Sequence, residues 1–241
     1  MKKHLLAFFM AVGFSLALGG QSAHAQAVGL VYYGLQLEEF EYRLGDEDED
    51  IFAWDGDAYI GTDEFKVRLM SEGEYDTNAT KFETLENRLV GQIPISDFFD
   101  AKAGIRLDTP KGRDRWYGIL GVAGLAPQWF EVDADLFISE LGDLSARLDV
   151  EYELLITNRL ILTPSAELNL AFADDTEVEI KSGFTSLEFG ARLSYDVIDR
   201  AFSPYVGFGY ETKLGDTEDL ISAEGEDTTA WFTTIGAKFV F

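Results

Sequence analysis

Carboxylates supply most of the chemistry available to this chain. Its 241 residues include 44 Asp and Glu against 19 Lys and Arg. In the segment WFEVDADLFI, residues 129–138, Glu131, Asp133 and Asp135 occupy every second position between apolar residues. Side chains of a β-strand alternate between two faces, so the three acids share one face and the apolar residues the other. One face therefore meets an apolar medium, and the other presents carboxylates that can attract cations.

The N-terminal residues have the pattern of a secretory signal peptide. A basic start at residues 1–3 precedes an apolar run at residues 5–18 and a small-x-small sequence, AHA, at residues 23–25. The apolar run is shorter than the roughly 20 residues that a membrane-spanning helix needs. We therefore predict that residues 1–25 are a signal peptide, cleaved near Ala25.

Cleavage restricts the chemistry of the mature chain. It removes His4 and His24, the two histidines, and the chain has no cysteine. Ser-His and Cys-His nucleophile pairs, nitrogen–sulfur zinc sites and disulfides are thereby excluded, and we predict no enzyme, although an aspartyl pair stays open. Loss of two lysines moves the net charge from −25 to −27. With no basic run, the sequence argues against a nucleic-acid partner.

The two-residue alternation recurs along the chain and predicts an all-β fold. After residue 25 no apolar run reaches the length of a spanning helix. About twelve candidate strands lie between turn signals, at residues 35–44, 51–60, 64–75, 80–92, 98–109, 114–125, 129–140, 143–156, 160–172, 184–197, 202–214 and 230–241. Their lengths suit tilted strands that cross a membrane. The first changes phase midway and the sixth is apolar on both faces, so ten strands remain possible.

Short and long connections alternate between these strands, which is typical of a transmembrane outer-membrane β-barrel with both termini at the short, periplasmic rim. A sheet crosses lipid only if it closes on itself, because every backbone amide must be paired there. We predict a short periplasmic segment at residues 26–34 and a barrel of antiparallel strands at residues 35–241, in the outer membrane of a Gram-negative cell. The apolar faces would contact outer-membrane lipid, and the charged faces would line a wet lumen.

Seven stretches of the chain together resemble the copper resistance protein B family of outer-membrane proteins. They are WDGDAYIG (54–61), RLMSEGE (68–74), AGIRLD (103–108), GVAGLAPQWFEVDADLFI (121–138), ARLDVEYELLITNRLILTPSAELNL (146–170), SPYVGFGYETKLGDTEDL (203–220) and AEGEDT (223–228). The resemblance implies a barrel that takes part in copper resistance by binding copper or passing it out of the periplasm, with periplasmic copper-handling proteins as partners. It departs from the family where a Met- and His-rich segment often precedes the barrel, since only QAVGLVYYG, residues 26–34, stands here.

Candidate copper ligands must come from the lumen face. Met70 is the one soft ligand left after cleavage, although copper prefers sulfur or nitrogen donors and carboxylates alone suit harder cations. The lumen candidates are Met70, Glu72, Glu74, Asp55, Asp57, Glu131 and Asp133. Lysines and arginines interleave with these acids, so the sequence leaves open a salt-bridged interior plug or a cation route.

Three functions follow, in this order of preference. The first is a barrel that handles copper, and the second is a general small-solute or cation pore without copper specificity. The third, an outer-membrane hydrolase or lipid-modifying enzyme, is disfavoured by the absence of histidine from the mature chain.

Overall fold

A computed structural model describes residues 30–45, 50–109, 113–175 and 177–241 of the chain. The predicted signal peptide, residues 1–25, lies outside the described residues, as do residues 26–29 of the segment 26–34. Within the described ranges no helix has both the length and the apolar character to cross a membrane.

The described residues form thirteen β-strands, one α-helix and a short 3-10 helix at Pro127–Trp129. The strands are β1 (Tyr32–Gly45), β2 (Asp50–Gly61), β3 (Lys66–Asp76), β4 (Lys81–Pro94), β5 (Phe99–Thr109), β6 (Arg115–Ala126), β7 (Phe130–Ser139), β8 (Leu144–Glu151), β9 (Leu154–Leu155), β10 (Leu160–Ala171), β11 (Gly183–Tyr195), β12 (Phe202–Lys213) and β13 (Thr229–Val240). The helix α1 (Gly215–Glu224) lies between β12 and β13.

The strands form one closed antiparallel barrel. Each strand pairs with its neighbours in sequence, and β1 pairs with β13, where Gln36 lies opposite Val240. The strands β8 and β9 both pair with β10 and together serve as one strand, so the barrel has twelve. They are interrupted opposite Pro164, which has no N–H to donate to a neighbouring strand. The predicted fold class and strand count are confirmed.

The lipid-facing side of the barrel is apolar. Large side chains that alternate with the lumen residues are exposed, among them Leu69 (56 %), Leu120 (54 %) and Ile235 (61 %). A soluble sheet protein would bury such side chains in its core. The apolar faces therefore point outward, away from the charged lumen, as the alternation predicted.

A β-bulge in β1 accounts for the change in phase of its apolar and polar alternation. The pairing of β1 with β2 shifts register between Leu37 and Glu39, which marks a β-bulge. Glu38 and Glu39 consequently both line the lumen, while Leu35 and Phe40 lie on the outer face on either side of the bulge. β1 also begins at Tyr32, three residues before the predicted start of the barrel.

The two rims of the barrel differ in their longest connections, as the sequence predicted, although residues 77–80 and 140–143 are short connections at the rim opposite the chain termini. Short connections lie at one rim, at residues 62–65, 95–98, 127–129, 156–159 and 196–201. The opposite rim, called the long-loop rim below, carries residues 172–182 and the segment that contains α1. In the connection between β12 and β13, α1 begins after Leu214 and ends at Glu224, and it is followed by Gly225, whose φ of 84° suits glycine.

Candidate functional site

The barrel encloses a polar cavity of about 580 Å³. All seven predicted lumen candidates line it: Asp55, Asp57, Met70, Glu72, Glu74, Glu131 and Asp133. Its wall includes Lys66, Asp100 and Glu131, which lie at the short-connection ends of their strands. The cavity thus extends to the rim that carries the chain termini.

Five acids form a continuous row across the first five strands, called the first acidic row. Each member lies directly opposite the next on the neighbouring strand. In strand order the row is Glu39, Asp55, Glu72, Glu86 and Asp108. Directly opposed residues of an antiparallel pair have Cβ atoms about 4.5–5.5 Å apart, and like charges there are destabilising.

A second acidic row crosses the other side of the barrel in the same manner. Its members are Asp133 on β7, Asp149 on β8, Glu167 on β10, Glu188 on β11 and Glu211 on β12. Four acids of each row line the cavity, all except Asp108 and Glu211. Two opposed rows of like charge make the cavity wall strongly electronegative, which attracts cations.

Three arginines offset part of this charge around Glu86, and we call Arg88, Arg106 and Arg147 the arginine cluster. Arg106 Nη2 lies 2.6 Å and Arg147 Nη2 3.3 Å from Glu86 Oε2, and Arg88 Nε donates to the other carboxylate oxygen. The three guanidinium carbons lie 4.5–5.9 Å from the centre of the Phe137 ring. Cation–π contact and ion pairing thus hold the cluster together.

Arg147 reaches across the lumen to join the two acidic rows. It projects from β8, four strands away from β4 in the order of the barrel. Its Nη1 lies 3.4 Å from Glu72 Oε2, and its Nε lies 3.6 Å from Glu167 Oε1. One guanidinium therefore contacts the first row and the second row together.

A separate network occupies the wall formed by β1, β11 and β12. Glu41, which is only 1 % exposed, accepts hydrogen bonds from Arg43 at 2.7 Å, Arg192 at 3.2 Å and the Tyr205 hydroxyl at 2.8 Å. Sequence reasoning missed Glu39, Glu41 and Arg43 as lumen residues because the bulge in β1 reverses the alternation. The phase change midway along this strand was the available signal.

Several lumen acids have no basic partner close by. Among the described residues, no Lys or Arg nitrogen forms an ion pair within 4.0 Å of Asp55, Asp149, Glu188, Glu131 or Glu151. Glu131 and Glu151 also lie directly opposite each other on β7 and β8. The lumen therefore combines a salt-bridged layer with carboxylates that have no ion pair to Lys or Arg among the described residues.

The structure separates the seven candidates by their partners. Four are in ion pairs: Asp57 with Arg68, Glu72 with Arg88 and Arg147, Glu74 with Arg43, and Asp133 with Lys102. Asp55 and Glu131 belong to the acids without such a partner. Met70 packs against the buried apolar cluster of Val90, Ile119 and Phe137. This cluster also explains why β6 is apolar on both faces, since Ile119 and Tyr117 face inward to meet it.

No ready-made chelating site is present in the part of the chain that the structure describes, where no three His, Cys, Asp or Glu side chains converge as metal ligands. The acids follow the wall in rows and are spaced by arginines and lysines. The electrostatic field of such an arrangement attracts cations, and a cation inside it contacts single carboxylates. A cation held by single contacts exchanges faster than one in a closed coordination shell.

Known proteins match this chain over most of its length. The family model described as "Copper resistance protein B precursor (CopB)" matches residues 31–241. The "Copper resistance protein B" of Escherichia coli is 34% identical over 225 residues, which cover 93% of this chain and 75% of that protein. The "Copper resistance protein B homolog" of Pseudomonas syringae pv. tomato (strain ATCC BAA-871 / DC3000) is 32% identical over 222 residues, which cover 92% and 73%.

Among solved structures, the NanC porin is similar in fold, with a TM-score of 0.53 at 12% sequence identity over 86% of this chain and 99% of the porin. This likeness concerns the barrel architecture alone. The family model matches the whole barrel, and two relatives are more than 30% identical to the chain. These matches identify the family. The chain is an outer-membrane β-barrel that belongs to the copper resistance protein B family.

Proposed function

We propose that this barrel contributes to copper resistance by taking copper ions into its lumen from the periplasm and passing them towards the cell exterior. The observation that carries the proposal is the pair of acidic rows, each with five carboxylates on directly opposed positions of neighbouring strands. Periplasmic copper-handling proteins are the expected donors of the ion. The role is that of a binding and transport protein, without catalysis.

The two acidic rows destabilise the barrel, because their like charges repel each other across neighbouring strands. Directly opposed like charges are destabilising, and cross-strand pairs are worth roughly 0.2–1 kcal/mol each. Asp149 and Glu188 have no ion-pair partner among the described residues to offset this penalty, and each is flanked by further acids of the second row. A cation that enters the lumen relieves the repulsion, so the empty lumen favours cation entry.

The ligands in the lumen suit the passage of copper ions better than their storage. Carboxylate oxygens bind copper(II) less tightly than imidazole does, and Met70 supplies a single thioether for copper(I). Conduction requires contacts that are favourable enough for entry and weak enough for release. We therefore assign the rows to attract hydrated copper(II) and give Met70 the role of a wall residue.

Growth on copper tests the proposal. A strain that lacks the gene should become copper-sensitive, and the wild-type barrel should restore its growth. The double variant Asp149→Asn, Glu188→Gln should restore less, whereas Asp216→Asn, Asp219→Asn, which removes two charges from the exposed surface of α1, should restore growth fully. Unchanged growth on deletion, or equal rescue by both double variants, would reject copper handling by the lumen.

Metal uptake by the purified barrel tests the ligands directly. Copper(II) spectra of the wild type should report oxygen donors and should be unchanged in Met70→Leu. A sulfur-to-copper charge-transfer band that is lost in Met70→Leu would instead make Met70 a ligand.

A cation pore without copper specificity is the second candidate, because carboxylate oxygens suit magnesium and calcium as well. Planar-bilayer recordings with copper, magnesium and calcium salts at equal concentration separate the two functions. Equal permeability to all three ions favours the general pore, and an electrically silent barrel counts against it.

A further inference from the structure

We infer that Arg147 is the residue that separates the lumen cavity from the long-loop mouth and determines which ions cross. The inference deepens the proposed function and rests on it, because it assigns the barrier within the same route.

On the wall formed by β4 to β8 the cavity ends at the arginine cluster, whereas on the wall formed by β1 to β3 it continues towards the long-loop rim as far as Arg43 and Glu74. Arg88 and Arg147 line the cavity, whereas Arg106, Tyr117 and Phe137, which lie further towards the long-loop rim, do not. An ion that enters from the short-connection rim and follows the wall of β4 to β8 therefore meets the cluster before it reaches the other mouth.

Arg147 is the member of the cluster that comes from the far wall. Arg88 and Arg106 project from β4 and β5, the strands that carry Glu86 and Asp108 themselves. Arg147 projects from β8 and still lies within 3.4 Å of Glu72 and Glu86. Its side chain is only 15% exposed, so it fills the space between the two walls.

The guanidinium makes this crossing an electrostatic barrier to cations. Arginine keeps its charge at every physiological pH, so proton loss does not remove the barrier. The same charge offsets part of the negative charge of Glu72, Glu86 and Glu167, the acids of the two rows that Arg147 contacts. Without it, no ion pair among the described residues would join the two acidic rows.

Arg43 provides a matched control. Its side chain is 13% exposed, and it also has three acidic partners, Glu39, Glu41 and Glu74. All three lie on β1 or β3, next to Arg43 on one side of the barrel. Arg147→Gln and Arg43→Gln therefore remove the same charge from similar surroundings, but only the first removes a bridge across the lumen.

The test is conductance of the purified full-length mature barrel in planar bilayers, first with potassium chloride and then with calcium chloride. Arg147→Gln should raise cation conductance roughly tenfold, the factor that corresponds to about 1.4 kcal/mol in a barrier. It should also shift the reversal potential towards the cation value, while Arg43→Gln stays near the wild type. Equal conductance of the two variants would overturn the inference.

Thiol labelling checks the barrier without conductance, because the mature chain has no cysteine of its own. Ser165→Cys places a thiol in the cavity wall, and Ser186→Cys places one beyond it towards the long-loop rim. In intact cells, a membrane-impermeant, positively charged thiol reagent should label the Ser186→Cys variant and spare the Ser165→Cys variant. Adding Arg147→Gln should open position 165 to the reagent, and labelling of 165 at the same rate without that change would contradict the barrier.

Migration of the unheated barrel on denaturing gels shows whether each variant has folded, and folded variants alone are compared. The outcomes also separate the two proposals. If Arg147→Gln raises potassium conductance but deletion leaves copper tolerance unchanged, copper handling fails and the barrier stands. If copper tolerance depends on the barrel but Arg147→Gln conducts like Arg43→Gln, the barrier fails and copper handling stands.

Discussion

Lys102 and Asp135 form an ion pair of 2.9 Å between Nζ and Oδ2, although a complete strand separates them. Lys102 lies on β5 and Asp135 on β7, and the residue between them on β6 is Gly121, directly opposite both. Because glycine has no side chain, the lysine and the carboxylate meet above its Cα. Both side chains are 2% exposed, so the pair replaces their contact with water.

Substitution of Gly121 tests this close approach. In Gly121→Ala the new Cβ would lie 2.7 Å from the backbone oxygen of Ala134 and 2.9 Å from Lys102 Cε. We expect a loss of about 1–3 kcal/mol in the free energy of unfolding, since overpacking of this kind displaces backbone. Urea unfolding in lipid vesicles measures it. Gly118→Ala on the same strand is the control, because its Cβ would meet only Ile138 O at 4.0 Å, and equal losses would disprove the steric argument.

The Tyr205 hydroxyl should stabilise the buried Glu41. Tyr205→Phe removes the 2.8 Å hydrogen bond to a carboxylate that is 1 % exposed. Loss of a donor to a buried charged acceptor costs roughly 1.5–3 kcal/mol. The free energy of unfolding should fall by that amount, whereas Tyr33→Phe, at a residue 81% exposed, should leave it unchanged. An unchanged free energy of unfolding in Tyr205→Phe would mean that the hydrogen bonds from Arg43 and Arg192 are sufficient for Glu41.

Arg115 should hold the loop of residues 172–182 against the barrel. Its guanidinium binds both oxygens of Asp175 and lies 2.9 Å from Glu177, and its side chain is 7% exposed. Arg115→Gln removes this charge, so a protease that cuts after glutamate should cleave the loop roughly tenfold faster, a factor equal to about 1.4 kcal/mol in loop opening. Mass spectrometry locates the cut.

Lys213→Gln is the control for loop cleavage, because Lys213 pairs with Glu211 on its own strand and has no ion pair to the loop among the described residues. Faster cleavage in Lys213→Gln as well would assign the effect to a general loosening of the rim.

The same loop should respond to acid at an unusually low pH. The Lys181 side chain and then the Ser182 backbone N–H donate hydrogen bonds to Asp174, which lower the pKa of this loop carboxyl to about 2. A lowered folded-state pKa contributes stability that is present above the unfolded value near 4 and is lost as the pH falls through about 2. Carboxyl chemical shifts followed by NMR should show Asp174 titrating at about 2. In Lys181→Gln its pKa should rise, and an unchanged pKa would contradict the role of the lysine.

Much of the fold could be predicted from local pattern. Alternation assigned most residues of β3, β5, β7 and β11 to the lumen or to lipid, because successive side chains of a strand point to opposite faces. It placed all seven candidate residues on the cavity wall. It could not place Glu41 or Arg43, because a bulge adds one residue and reverses the faces beyond it. It also missed α1, whose short, acidic sequence resembles a polar loop.

The sequence by itself determined which medium most of the strand side chains meet, since alternation and strand length leave a closed membrane barrel as the one structure that satisfies every backbone amide. Only the tertiary structure decided which charges meet. A strand that slips by two residues keeps every side chain on its face but changes every partner, so register, and with it the two acidic rows, is invisible to periodicity. The contact of Arg147 with Glu72 depends further on barrel closure, which brings together walls that are 75 residues apart in the chain.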